Sequence, residues 1–109
     1  MFKLIRDNIP QIIKESGSVC NYATAENDEL YKALLAEKLI EEVQEWLRDR
    51  NTEELVDITT VIRAMIAADG ISEEEFEKLY KAKIKKNGGF EKKYIGFFPD
   101  PQPQQPQEK

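Results

Sequence analysis

Glu41, Glu42 and Glu45, followed by Glu54 and Asp57, are the residues whose types and spacing can do chemistry. Glu42 with Glu45 and Glu54 with Asp57 are pairs three residues apart, a spacing that puts both side chains on one face of a helix. With Glu42 at zero and about 100° per residue, Glu45 falls about −60° away and Lys38 about −40° away. Leu39, Trp46, Val43, Ala36, Leu47 and Ile40 fill the adjoining arc, so both glutamates border the apolar face. With Glu54 at zero, Asp57 lies at about −60°, beside Val61 and Ile58. It interrupts an apolar run from Leu55 to Ile62. A bare carboxylate there is costly, so Asp57 needs an arginine, a lysine or a metal. Two readings stand. The acids are an ordinary charged face with Asp57 paired to Arg63 or Lys38, or the two pairs converge across a short turn and hold a hard divalent cation. Four oxygens from rigid helices suit Mg²⁺ or Mn²⁺.

The elements that must position these acids follow from periodicity and punctuation. Asn27 or Asp28 caps a helix over 28–48, with Leu30, Leu34, Leu35, Leu39, Val43 and Leu47 toward the core. Arg48 to Asn51 is the turn. Thr52 is the expected N-cap of a helix over 53–68, with Glu53 and Glu54 favourable in its first turn. Leu55, Ile58, Val61, Ile62, Met65 and Ile66 give that helix a broad apolar face, and Val56 widens it. So wide a face in a small chain predicts a homodimer. Gly70 stops the helix. Ser72 to Glu75 is a capping box that opens a charged helix over 73–87, with a thin stripe of Phe76, Leu79 and Tyr80. Lys83, Lys85 and Lys86 in its last turn complement the helix dipole, and are also a basic cluster suited to a polyphosphate.

Ahead of these elements, residues 1–8 read as extended or irregular. Asp7 or Asn8 caps a short helix with Pro10 in its first turn, and Gly17 ends it. Lys3 and Arg6 are a solvated tip or reach phosphate oxygens. Ser18 to Asn27 reads as a loop. Phe90 to Phe98 alternates weakly, as a short strand or an extended cover. From Pro99 the Pro- and Gln-rich tail has no composition for a core.

The 109 residues support one modest core, taken as a single domain over 1–98 with the tail 99–109 beyond it. A net charge of −5 argues against a sequence-independent nucleic-acid binder. The absence of histidine removes Ser-His-Asp and Cys-His chemistry and imidazole-built zinc sites. The lone cysteine, Cys20, excludes an intramolecular disulfide and suits a reducing compartment. No signal peptide and no apolar run of membrane-spanning length is evident. The expected setting is cytoplasmic, without a membrane partner.

Glu41-Glu42-x-x-Glu45 followed by Glu54-x-x-Asp57 resembles the motif of the all-α nucleoside triphosphate pyrophosphohydrolases, which include MazG proteins, dimeric dUTPases and phosphoribosyl-ATP pyrophosphohydrolases. Lys3-Leu4-Ile5-Arg6-Asp7-Asn8-Ile9-Pro10 and Lys86-Asn87-Gly88-Gly89-Phe90-Glu91 resemble a narrower branch of small MazG-like house-cleaning enzymes. The resemblance covers roughly residues 2–95. The gap between Glu45 and Glu54 is shorter than in many MazG proteins, and the second helix lacks a histidine that phosphoribosyl-ATP enzymes commonly carry. The resemblance implies an all-α antiparallel helical bundle with a short extended C-terminal segment. It implies Mg²⁺-dependent cleavage of a nucleoside triphosphate to monophosphate and pyrophosphate, by a homodimer or homotetramer. Glu42, Glu45, Glu54 and Asp57 would hold the metal, and Glu41 would be a further ligand or position the water. Glu41 and Glu42 are the catalytic candidates. Lys38 would pair with Asp57 or reach a phosphate, with Arg6, Lys83 and Lys86 as further phosphate partners. The alternatives are phosphoribosyl-ATP hydrolysis and a catalytically silent helical module that dimerises or senses nucleotides.

Overall fold

A computed structural model describes residues 2–99. Four helices and no strand are present among the described residues: α1 (Ile9–Glu15), α2 (Asp28–Asp49), α3 (Thr52–Ala68) and α4 (Glu73–Asn87). The chain divides between Ser72 and Glu73 into two compact units. No described helix is long and apolar enough to cross a membrane.

In the first unit, α1 carries Pro10 in its first turn, where the missing N–H costs no helical bond. Asn8 holds the N-cap position, yet its side chain makes no capping hydrogen bond. Asn27 is a full cap of α2: its Oδ1 accepts from Leu30 N at 2.8 Å. α2 ends where Arg50 turns left-handed (φ 56°, ψ 31°) and donates its N–H to Trp46 O at 2.7 Å. The Arg50 guanidinium folds back over the Trp46 ring, 4.5 Å from its centre, which offsets part of the cost of a non-glycine residue in that conformation.

The cap of α3 is Asn51, one residue earlier than expected. Asn51 is extended (φ −104°, ψ 159°) and its Oδ1 accepts from Glu54 N at 3.1 Å. The short amide reaches that N–H, and Thr52 enters the helix as its first residue. α3 closes on Asp69 and then Gly70, whose φ of 78° favours glycine.

Only Arg50 and Asn51 separate α2 from α3, and the two helices pack against each other as an antiparallel hairpin. Lys32 near the start of α2 pairs with Asp69 just past α3, 3.5 Å apart, as that direction requires. The core of this hairpin is small. Leu34, Leu35 and Val61 are its buried apolar residues among those described, and Glu42 is buried with them. Val43 and Leu47, expected inside, are exposed, as are Leu55 and Ile62. α2 turns one arc toward α3, centred near Glu42, and the stripe of Ile40, Val43 and Leu47 lies about 100–160° around the helix from it.

In the second unit α4 begins directly after Ser72, where the capping box was expected. It ends at Gly88, whose φ of 81° lets its N–H reach Ile84 O at 2.7 Å. Phe90 to Phe98 forms no strand: it holds one turn, closed by Lys93 N to Phe90 O at 3.1 Å, and Phe90, Tyr94 and Phe97 are exposed. Beyond Pro99 the expected tail lies outside the described residues.

Candidate metal centre

Glu42 stands at the middle of the face that α2 packs on α3, not at its border, and is 6% exposed. One turn earlier, Lys38 Nζ lies 3.5 Å from Glu42 Oε2 and 3.2 Å from Glu41 Oε1. Glu42 Oε1 is buried without a hydrogen-bond partner among the described residues, and so is Glu54 Oε1. An oxygen each from Glu42, Glu54 and Asp57 forms a cluster in which all lie within 4.8 Å of one another. The hairpin explains the convergence. Glu42 sits two turns before the end of α2, Glu54 sits in the first turn of α3 with its N–H held by the Asn51 cap, and Asp57 is one turn further on.

The donor set fits a hard cation. Oxygens across an octahedral Mg²⁺ are about 4.2 Å apart, twice a bond of about 2.1 Å. The cluster is therefore close to size. A buried carboxylate oxygen without a partner is costly, and a cation is the partner that three converging carboxylates take together.

The electrostatics agree. Burial pushes the Glu42 carboxyl above the ordinary value, and the charges of Glu45 and Asp57 add to this against the opposing pull of Lys38. Glu54 is also raised, first by desolvation and then by Glu45, Asp49, Asp57 and Glu42. Glu45 is half-buried and outside the cluster of three, but its charge is felt by both. Glu41 behaves oppositely. Lys3 Nζ donates to its Oε2 at 2.7 Å and holds it below the ordinary carboxylate value, with Lys38 assisting.

Asp57 does not pair with Arg63 or Lys38. Its partner is Arg6, whose Nη2 donates to Asp57 Oδ1 at 2.6 Å and to Thr60 Oγ1 at 3.2 Å. The Thr60 hydroxyl in turn donates to Val56 O at 2.8 Å. Thr60 joins the site unannounced by any periodicity, and Lys3, expected as a solvated tip or a phosphate contact, pairs with Glu41; an aspartate in an apolar run signals that a cation is required, but not which one. Arg6, Lys38, Glu42, Asp57 and Thr60 line a cleft of about 620 Å³ whose other walls include Leu4, Ile5 and Leu35. Lys83 and Lys86 are exposed on α4, in the second unit.

No family model, curated protein or solved structure matches this chain.

Proposed function

We propose that this chain is a Mg²⁺-dependent hydrolase of nucleoside triphosphates, able to use Mn²⁺, that releases monophosphate and pyrophosphate. The observation that carries the reading is the convergence of Glu42, Glu54 and Asp57 within 4.8 Å, with two buried oxygens that lack any partner among the described residues. The choice of a triphosphate rests on the resemblance of the acidic, N-terminal and Gly-Gly-Phe motifs, in that order along the chain.

Glu42, Glu54 and Asp57 would hold the cation, with Glu45 adding a fourth negative charge. When bound, the cation would neutralise phosphate oxygens and acidify a water. Lys38 and Arg6, both on the cleft wall, would receive phosphate oxygens. Glu41, ionised beside Lys3 and Lys38, is suited to fix the attacking water or take its proton, and Glu42 shares that role as well as the ligand's. The water oxygen bonds to the α phosphorus and the α–β bridging bond breaks, with pyrophosphate leaving. Leu4, Ile5 and Leu35 give the cleft an apolar wall. The cytoplasm, where thiols stay reduced, suits a chain with one free cysteine.

The fuller fold in this reading is a MazG-like antiparallel bundle completed by further copies, as a homodimer or homotetramer. Exposed Ile40, Val43 and Leu47 on α2, with Leu55, Val56 and Ile62 on α3, support it.

The test is pyrophosphate release from canonical and modified ribo- and deoxyribonucleoside triphosphates and from phosphoribosyl-ATP, in Mg²⁺, in Mn²⁺ and in chelator, beside Asp57→Asn. Loss of even an outer-shell partner of a metal costs about 10–100-fold, so a ligand variant should lose at least as much. Folded protein that releases nothing from any substrate, and whose melting ignores metal, would sink the reading.

A further inference from the structure

The residues before α1 form no helix or strand, yet they are pinned twice to the hairpin. Lys3 reaches Glu41 on α2 at 2.7 Å, and three residues later Arg6 reaches Asp57 on α3 at 2.6 Å. The segment thus crosses from one helix to the other beside the carboxylate cluster, as a wall of the cleft. Both side chains are about half exposed or more, 59% for Lys3 and 51% for Arg6. Single ion pairs so placed are weak holds. A divalent cation gathers three carboxylates at once, and Asp57 is among them. Arg6 and the cation therefore claim the same acid.

We propose that Arg6 is the resident counter-cation of Asp57 and changes partners, yielding that acid when a divalent metal binds and then gripping the anion that follows it. This rests on the metal-dependent reading above and deepens it by fixing an order. Before metal arrives, Arg6 is engaged and the cleft is a poor anion site. After it arrives, the freed Arg6 and the metal face the same cleft. Metal and polyphosphate must then strengthen each other's binding by the same factor. Thr60 helps aim Arg6, since its hydroxyl is tied to Val56 O and presents its oxygen to Nη2. The device needs no change in α2 or α3.

The experiment measures Mn²⁺ affinity, and then inorganic pyrophosphate affinity in saturating Mn²⁺, for the wild type, Arg6→Gln and Lys3→Met. The expected result is opposite signs. Arg6→Gln binds Mn²⁺ about three- to tenfold more tightly, because a competitor is gone, and pyrophosphate about tenfold more weakly, because a ligand is gone. Lys3→Met, whose partner Glu41 lies outside the cluster, leaves both affinities near those of the wild type. In the wild type, Mn²⁺ alone should speed tryptic cleavage after Arg6 severalfold, and added pyrophosphate should slow it again; this readout needs no variant to fold. If Arg6→Gln binds Mn²⁺ more weakly, Arg6 only orients Asp57 and the exchange is overturned while the metal centre stands. Mn²⁺ that binds the wild type and leaves the cleavage rate unchanged overturns it equally. A wild type that binds no Mn²⁺ brings down the metal reading itself.

Discussion

Lys38 Nζ stands between two successive carboxylates of its own helix, 3.2 Å from Glu41 and 3.5 Å from Glu42. It is one cation for two acids. Glu41 has Lys3 as a second partner, whereas Glu42, the more buried, has an oxygen left over. The hairpin without metal therefore carries an under-compensated charge at its centre, and stability and the proposed function pull on the same residue in opposite directions.

Glu42→Gln should expose that conflict. In chelator near neutral pH it should be more stable than the wild type, by on the order of 1–3 kcal/mol, the cost of an unsatisfied buried group. The pH dependence has a definite sign. Burial raises the folded value of Glu42 above the unfolded one, so the folded chain holds that proton more tightly. Its contribution favours folding below the ordinary carboxylate value and declines as pH rises through the folded value. The gap between variant and wild type should thus narrow on acidification. Mn²⁺ should stabilise the wild type and leave Glu42→Gln unmoved. Thermal melts in chelator and in Mn²⁺ across pH read all three, and a variant that melts lower in chelator refutes the conflict.

Glu41 should titrate the other way. Lys3 lowers its folded value, so its contribution is present above the unfolded value and is lost as pH falls through the folded one. Lys3→Met should flatten this acid limb. Because Lys3 is exposed, the difference should be small and should shrink in high salt. Urea midpoints over pH at two salt concentrations check it.

Asn51→Ala should cost about 1 kcal/mol, as for a lost helix cap. Asn27→Ala should cost a similar amount, since both amides bond the third backbone N–H beyond them. The two should part in Mn²⁺ binding. The N–H that Asn51 holds belongs to Glu54, so its loss loosens a ligand, while Asn27 caps the distant end of α2. Equal Mn²⁺ affinities in the two variants would separate the cap from the site.

Ile40→Glu combined with Leu47→Glu should reduce the mass measured by light scattering from a dimer or tetramer to a monomer. Both residues are exposed and apolar, one stripe away from the face that packs on α3. A wild type that is already monomeric at all concentrations removes the basis for an assembly on this stripe.

The helices were legible because their punctuation is strong: Asn27, Gly17, Gly70, Ser72 and Gly88 mark boundaries that the structure keeps to within a residue or two. Thr52 misled because Asn51, beside it, is as good a cap and has the better reach. Three of the four expected ligands converge because a two-residue link folds α3 back along α2. Val43 and Leu47 were misplaced because periodicity reports an apolar face without saying whether this chain or another covers it. The partner of Asp57 was illegible for another reason. Arg6 lies 51 residues away in a segment with no period, and a pairing across irregular chain leaves no pattern in either residue's neighbourhood.

Arg50 and Asn51 are the whole link between the helices that hold Glu42 and Asp57. So short a loop closes at little entropic cost, and contacts of such low sequence separation form quickly. On that order the acids would be driven together while the segment bearing Lys3 and Arg6 is still loose, and their repulsion would be met on the way up the folding barrier. A divalent ion in the refolding buffer should on this account accelerate folding as well as retard unfolding, which stopped-flow refolding in Mn²⁺ against chelator would reveal. The candidate metal centre would then double as the folding nucleus.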